Sequence, residues 1–285
     1  MRISYHNHTI YSDGKDTAEA MAQAAYDAGF SHFAFTDHVY SEDYAKGTVT
    51  PQEYPVYADH INRLKEQYKG KMRIITGIEA DWYKGHGTYM SHYEDVVPLI
   101  EFTVGSVHNL MPKNKIYLID GHLERYVECL EEGYDGSIEK MVTDYFESYL
   151  EMAQEFKPDL LGHIDIIRKN NPDQRFFTGE EPWLIRLEEV LAKEIAQLGL
   201  VTEVNGGGAY RYQNGIYYPS DHFLEILRES GVKMTIGLDA HSVDMVLNYY
   251  KTSVDLAKRA GYQTLWHLDE SNIWKEYPIN TFYEK

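Results

Sequence analysis

His6 and His8 lie one residue apart in the opening run MRISYHNHTIYSDG, and in an extended segment residues i and i+2 share a face. Two imidazoles on one face are either a packing detail or the start of a metal site, and the rest of the chain decides between these. The chain carries 13 histidines, about twice the usual share. Many fall, together with carboxylates, at the last residue or two of recurring strand-like runs: His6 and His8, Asp37 and His38, Glu79 and Asp81, His108, His163 and Asp165, Glu203 and Asn205, Asp239 and His241. Imidazole and carboxylate without thiolate suit zinc, manganese or iron, not an iron–sulfur cluster or a four-cysteine zinc site. The set exceeds what one ion needs, which indicates two or three ions bridged by a carboxylate. Other hydrolytic chemistries fall short: there is no GxSxG and no HExxH, and the lone Cys129 lies in a helix-like stretch.

The elements that must hold these groups alternate. ISYHNH precedes TAEAMAQAAYDAG, HFAFTDH precedes PQEYPVYADHINRLKEQY, and MRIITGIEAD precedes a polar loop. FTVGSVH precedes a long insert and SIEKMVTDYFESYLEMAQEF; LLGHIDI, LVTEVNG and MTIGLDAH each precede a further helical pattern. Helices end at Gly29, Gly199, Gly231 and Gly261, where a C-cap favours glycine. Seven strand–helix units without a linker predict an α/β fold of one domain over 1–285, with a parallel sheet closed into a barrel. The C-terminal strand ends of such a barrel converge on one face, where the polar residues would meet. The insert at about 111–137 reads as a long loop over that mouth, and GGG at 206–208, which lacks phosphate-loop spacing, as a close turn.

Bulk properties narrow the function. The formal charge is −18, from 45 acidic against 27 basic residues, so a general grip on nucleic acid is not expected. No run approaches the roughly 18 apolar residues of a membrane span, and the start carries no signal-peptide pattern, so a cytoplasmic location is expected. The 25 tyrosines read as packing residues. His32, His60, His86, His92 and His267 lie off the strand ends and read as surface or packing residues; His122 and His222 could face the mouth and touch substrate. Oligomeric state is not set by the sequence.

HNHTIYSDG, FTDH, GIEAD, GSVH, LGHIDI and GLDAH, in this order across nearly the whole chain, resemble the motifs of the polymerase and histidinol phosphatase (PHP) family. The residues around Arg168 and the YPS at 218–220 resemble its monofunctional histidinol-phosphate phosphatases. The resemblance implies a distorted seven-unit (β/α) barrel of TIM type and a cofactor of three divalent ions, zinc, manganese or iron. One ion would take His6, His8, Glu79 and Asp239; a second would share Glu79 and add His108 and His163; a third would use Asp13, His38 and His241. Such ions support attack of a bridging hydroxide on a small phosphate monoester, L-histidinol phosphate first among them. Glu79 would bridge, Asp239 or His241 could relay a proton, and Arg168, Arg211 and His222 would bind substrate. Glu203 and Asn205 would orient ligands or water. Alternatives are a PHP-type phosphoesterase acting on nucleotides and a metal-binding scaffold without turnover.

Overall fold

The computed structural model describes residues 1–41, 47–88, 92–212 and 215–283, and for Tyr210, Arg211 and Tyr212 the backbone alone. The first two units are β1 (Arg2–Ser4), α1 (Ala18–Asp27), β2 (Phe30–Phe35) and α2 (Tyr54–Gln67). Thr17 caps α1 by accepting a hydrogen bond from Ala20 N, and the helix buries Ala18, Met21, Ala22 and Ala25. These small side chains let it lie close to the sheet. In α2 the buried residues Tyr54, Tyr57, Ala58, Ile61 and Leu64 follow the 3.6-residue period of an amphipathic helix. The Tyr57 hydroxyl pins that face to the sheet by donating to Gly77 O at 2.8 Å.

The third strand, β3 (Arg73–Asp81), leads to the short α3 (Tyr93–Val96), and β4 (Phe102–Ser106) leads into the insert. The insert is not the bare loop that its composition suggests. It forms a hairpin of β5 (Asn109–Leu110) and β6 (Tyr117–Leu118), then α4 (Leu123–Glu128) and a π turn over Cys129–Gly133. Buried Tyr126, Cys129 and Leu130 give it a core of its own against the barrel. Asn170, two residues past Arg168, ties it down by donating to Ile119 O and Gly121 O.

The remaining barrel units are α5 (Ile138–Glu155), β7 (Leu160–Leu161), α6 (Pro182–Leu198), β8 (Val201–Asn205), α7 (Gly207–Tyr212), α8 (Asp221–Glu229), β9 (Lys233–Gly237), α9 (Val243–Asn248) and α10 (Tyr250–Arg259). The pattern SVDMVLNYYKTSVDLAKRAG therefore makes two helices, broken at Tyr249. Gly199 ends α6 in the left-handed conformation, φ 68°, as the capping signal requires.

Seven strands form one parallel sheet in the order β1-β2-β3-β4-β7-β8-β9. The segments that continue β1 and β9 then meet: Tyr5 N donates to Ile236 O (3.3 Å), Asp239 N to His6 O (2.8 Å) and His8 N to Ala240 O (2.9 Å). The sheet is a nearly closed seven-unit barrel, as the alternation and the resemblance predict.

A last element was not legible beforehand. β10 (Thr264–Leu268) and β11 (Trp274–Pro278) form an antiparallel hairpin that packs on the N-terminal end of the barrel. Trp274 meets Tyr5 and Phe102 at ring centroid distances of 5.2 and 6.3 Å, and Leu268 N donates to the Tyr5 hydroxyl at 2.9 Å. One mouth is thus plugged, and polar chemistry is left to the other.

Candidate metal centre

Each barrel strand ends where the sequence places a ligand type. Glu79 and Asp81 share the inward face of β3, and Glu203 and Asn205 that of β8, because strand side chains alternate. Glu79 stands at the middle, 1% exposed. Its Oε2 lies 3.2 Å from His6 Nε2, 3.4 Å from His8 Nε2 and 3.0 Å from His38 Nδ1. Its Oε1 lies 3.1 Å from His163 Nε2 and 3.5 Å from His108 Nε2. Asp239 Oδ1 approaches His8 Nε2 at 3.2 Å and His6 Nε2 at 3.9 Å. Asp13 Oδ1 approaches His241 Nε2 at 2.9 Å, His38 Nε2 at 3.7 Å and His8 Nδ1 at 3.9 Å. All nine residues expected as ligands are therefore gathered at one end of the barrel.

Among the described residues, ligating atoms converge within 4.8 Å in four overlapping groups: His8, Asp13, His38 and His241; His6, Glu79 and His163; His6, His8 and Asp239; His38, Glu79 and His108. His8 and His38 stand between groups, so the boundaries between ion sites are less sharp than the resemblance implies. The chemistry fits metal for a further reason. His6 Nε2, His8 Nε2 and both Glu79 oxygens are buried without a hydrogen-bond partner, a cost of several kcal/mol together that a cation would offset. The cluster can hold several metal ions.

The far ring nitrogens are held from behind. His6 Nδ1 meets Glu203 Oε1 at 2.8 Å, His108 Nδ1 meets Asp81 Oδ1 at 2.5 Å, and His241 Nδ1 meets Asp239 O at 2.7 Å. Such partners fix ring orientation and turn the other nitrogen toward the centre. Glu203 Oε1 also accepts from His163 N (3.1 Å) and Asn205 Nδ2 (2.7 Å). Gly237 makes room for it, since a Cβ there would stand 1.6 Å from Glu203 Oε2. Asp239 takes a left-handed backbone, φ 49°, uncommon away from glycine and frequent at functional sites. Gly207 accommodates that carboxylate; a Cβ there would be 2.7 Å from Asp239 Oδ2.

The charges are mutually adjusted. Burial alone would raise the Glu79 pKa, but His6, His38, His108 and His163 hold it well below the usual carboxylate range. Burial opposes protonation of His108, yet Asp81 and Glu79 outweigh it and raise the imidazole to about 10. Burial likewise opposes protonation of His6, and Glu203, Glu79 and Asp239 lift it well above the ordinary value. Burial, reinforced by His241 and His38, pushes His8 down to about 3.

The expected substrate residues sit off this centre. Arg168 Nε lies 3.8 Å from Asp165 Oδ2, and its guanidinium stands 5.7 Å from the Phe177 ring centroid. It lines two adjoining clefts of about 400 and 470 Å³; Ser220 and Asp221 line both, and His222 lines the larger. Ser220 N donates to Asp165 Oδ2 at 2.8 Å, which joins the YPS turn to Arg168. His222 is exposed on the first turn of α8. The Arg211 side chain lies outside the described residues. His122 is exposed before α4, while His32 and His267 are buried at the plugged mouth with ring centroids 5.2 Å apart. Sequence reasoning gave Asp81 and Asp37 no role beyond their strand ends, although Asp81 shares the face of Glu79 two residues away.

No helix among the described residues is long and apolar enough to cross a membrane. Known proteins are similar to this chain in sequence and fold. A Schizosaccharomyces pombe protein named "Probable histidinol-phosphatase" is 26% identical over 270 residues, covering 88% of this chain and 84% of its own length. A Listeria monocytogenes crystal structure superposes with a TM-score of 0.79 at 22% identity, covering 88% of this chain and 99% of its own. The Lactococcus lactis histidinol phosphate phosphatase, solved with zinc, L-histidinol and phosphate, gives a TM-score of 0.63 at 18% identity, with 93% and 95% covered. These superpositions concern the fold. The PHP domain family model matches residues 4–207, a span that includes seven of the nine clustered residues, and the chain belongs to that family.

Proposed function

We propose that this PHP-family phosphoesterase hydrolyses L-histidinol phosphate to L-histidinol and phosphate. The observation that carries the reading is the ring of five imidazoles around the buried Glu79 carboxylate. The names of the fission-yeast relative and of the Lactococcus lactis structure support the substrate. His6, His8, Glu79 and Asp239 would hold one ion, Glu79, His108 and His163 a second, and Asp13, His38 and His241 a third. Divalent ions so held supply Lewis acidity, which acidifies water and neutralises charge growing on phosphoryl oxygens.

The protein groups have separate tasks in this reading. Glu203 and Asp81 keep His6 and His108 turned inward. Arg168 grips phosphate oxygens with two parallel N–H donors, steadied by Asp165 and Phe177 behind it. His222 and Arg211 add contacts from the neighbouring loops. In this reading Asp239 or His241, 8% and 5% exposed, would relay a proton to the leaving alkoxide. The chain as a whole, 1–285, acts as one catalytic domain.

The test is phosphate release from L-histidinol phosphate, p-nitrophenyl phosphate, AMP and a short oligonucleotide, on protein of known metal content. A specificity constant at least about a hundredfold higher for L-histidinol phosphate, on the order of 3 kcal/mol of discrimination, is expected. Equal slow rates on all four would overturn the substrate. Faster release from AMP would favour a nucleotide phosphoesterase, and metal without turnover a scaffold.

A further inference from the structure

The other polar residue at the end of β2, Asp37, is fully buried and belongs to none of the four ligand groups. Its carboxylate, which also has the Tyr57 hydroxyl against it, takes most of its hydrogen bonds from a single short loop. Oδ1 accepts from Thr9 N (2.7 Å), Ser12 N (3.2 Å) and Ser12 Oγ (2.7 Å), and the Thr9 hydroxyl lies 3.1 and 3.0 Å from its two oxygens. The loop closes on itself as Ser12 N and Gly14 N both donate to Thr9 O, at 3.0 and 2.9 Å. Gly14 permits this closure, because a Cβ there would stand 2.7 Å from the Thr9 backbone.

Sequence neighbours give the arrangement its meaning. Thr9 follows His8, Asp37 precedes His38, and Ser12 precedes Asp13. One buried carboxylate thus joins the backbones that carry three members of one ligand group. Asp13 needs such support, since its own side chain is 37% exposed on a loop outside the sheet.

We propose that Asp37 is a positioning residue that fixes Asp13 against His38 and His241, and so sets the affinity of the ion these three would share. The proposal rests on the three-ion reading given above. It assigns Asp37 no contact with substrate or metal.

The test counts ions by native mass spectrometry and elemental analysis, during zinc titration of the chelated protein. Wild type, Asp13→Ala, Asp37→Ala, Asp37→Asn and the Asp13→Ala/Asp37→Ala double variant are compared. Wild type should hold three ions, and Asp13→Ala and the double variant two each. Asp37→Ala should bind its weakest ion roughly 10- to 100-fold less tightly, the other two being retained. Asp37→Asn, whose amide oxygen can still accept from Thr9 N and Ser12, should recover most of that affinity. A double variant that loses a further ion would show Asp37 acting elsewhere. Three ions with wild-type affinity in Asp37→Ala, or equal weakening of all three, would overturn the proposal. Fewer than three ions in wild type would instead overturn the three-ion reading beneath it. Ser12→Ala, which removes the hydroxyl that donates to Asp37 Oδ1, gives the same readout if Asp37→Ala does not fold, with a loss of about tenfold expected.

Discussion

Metal uptake by this chain should expel protons, and the cluster fixes roughly how many. In the metal-free protein His108 is raised to about 10 by Asp81 and Glu79 against the opposing effect of burial. His6 is lifted well above its ordinary value by Glu203, Glu79 and Asp239, again against burial. His108 therefore carries a proton at pH 7, while His8, pushed down to about 3, carries none. An Nε2 atom must be free of its proton to bind a cation, so His108 releases about one proton on uptake, and the upward shift of His6 adds to the release. Below about pH 10 the overall metal association constant should then rise by at least about one decade per pH unit, or about 1.4 kcal/mol. Calorimetric titration of the chelated protein with zinc, in buffers of differing ionisation enthalpy between about pH 6.5 and 8, reads both quantities. Uptake without proton release, at an affinity independent of pH, would refute this account of the cluster. Stability of the metal-free chain follows with opposite signs for the two kinds of histidine. The raised pKa of His108 contributes stability fully present below about pH 6.5 and lost as pH rises through about 10. The depressed pKa of His8 removes stability as pH falls from about 6.5 toward about 3.

Glu79→Gln takes the charge from between five imidazoles; we expect loss of at least one ion by elemental analysis and of nearly all phosphatase activity. Full metal content with a normal rate would show that Glu79 does not bridge. Arg168→Ala should lower kcat/KM by about 2 to 5 kcal/mol in transition-state terms while metal content stays whole. An unchanged specificity constant would remove Arg168 from phosphate binding. Tyr5→Phe leaves Leu268 N buried without its acceptor and should cost about 1 to 3 kcal/mol of unfolding free energy, read from urea denaturation. No change would mean that the Leu268 N–Tyr5 hydroxyl bond contributes little to holding the C-terminal hairpin on the barrel.

The seven-unit barrel was legible because most of the parallel strands are short apolar runs followed by a helix of 3.6-residue period. The cluster was legible because a barrel brings strand ends together, so seven local patterns imply one cluster, while Asp13 and the sorting of residues among ions came only with the resemblance. What escaped the sequence depends on contacts across the chain. β5 and β6 are two residues each, too short for any alternation to register, and the insert therefore reads as loop. The terminal hairpin left a faint trace, TLWHL and IWKEYP about the turn-rich DESN, masked because seven units already complete a barrel. Asp81 and Asp37 are chemically indistinguishable from ligands in the sequence. Only the structure shows Asp81 Oδ1 at 2.5 Å from His108 Nδ1 and Asp37 surrounded by Thr9 and Ser12 donors, outside the four groups of converging atoms.

The seam where the two ends of the sheet meet bears on how the protein is made. His6 and His8 leave the ribosome well before Asp239 and His241, and the backbone bonds from Asp239 N to His6 O and from His8 N to Ala240 O join them. Contacts of such sequence separation form late, after the chain has met the entropy of closing its longest loop. The complete ligand set thus exists only after the barrel has closed. Cations recruited to the groups that include Asp239 or His241 would act as a latch on finished topology, favouring the native state by mass action, whereas the group of His38, Glu79 and His108 is assembled from strands on one side of the seam.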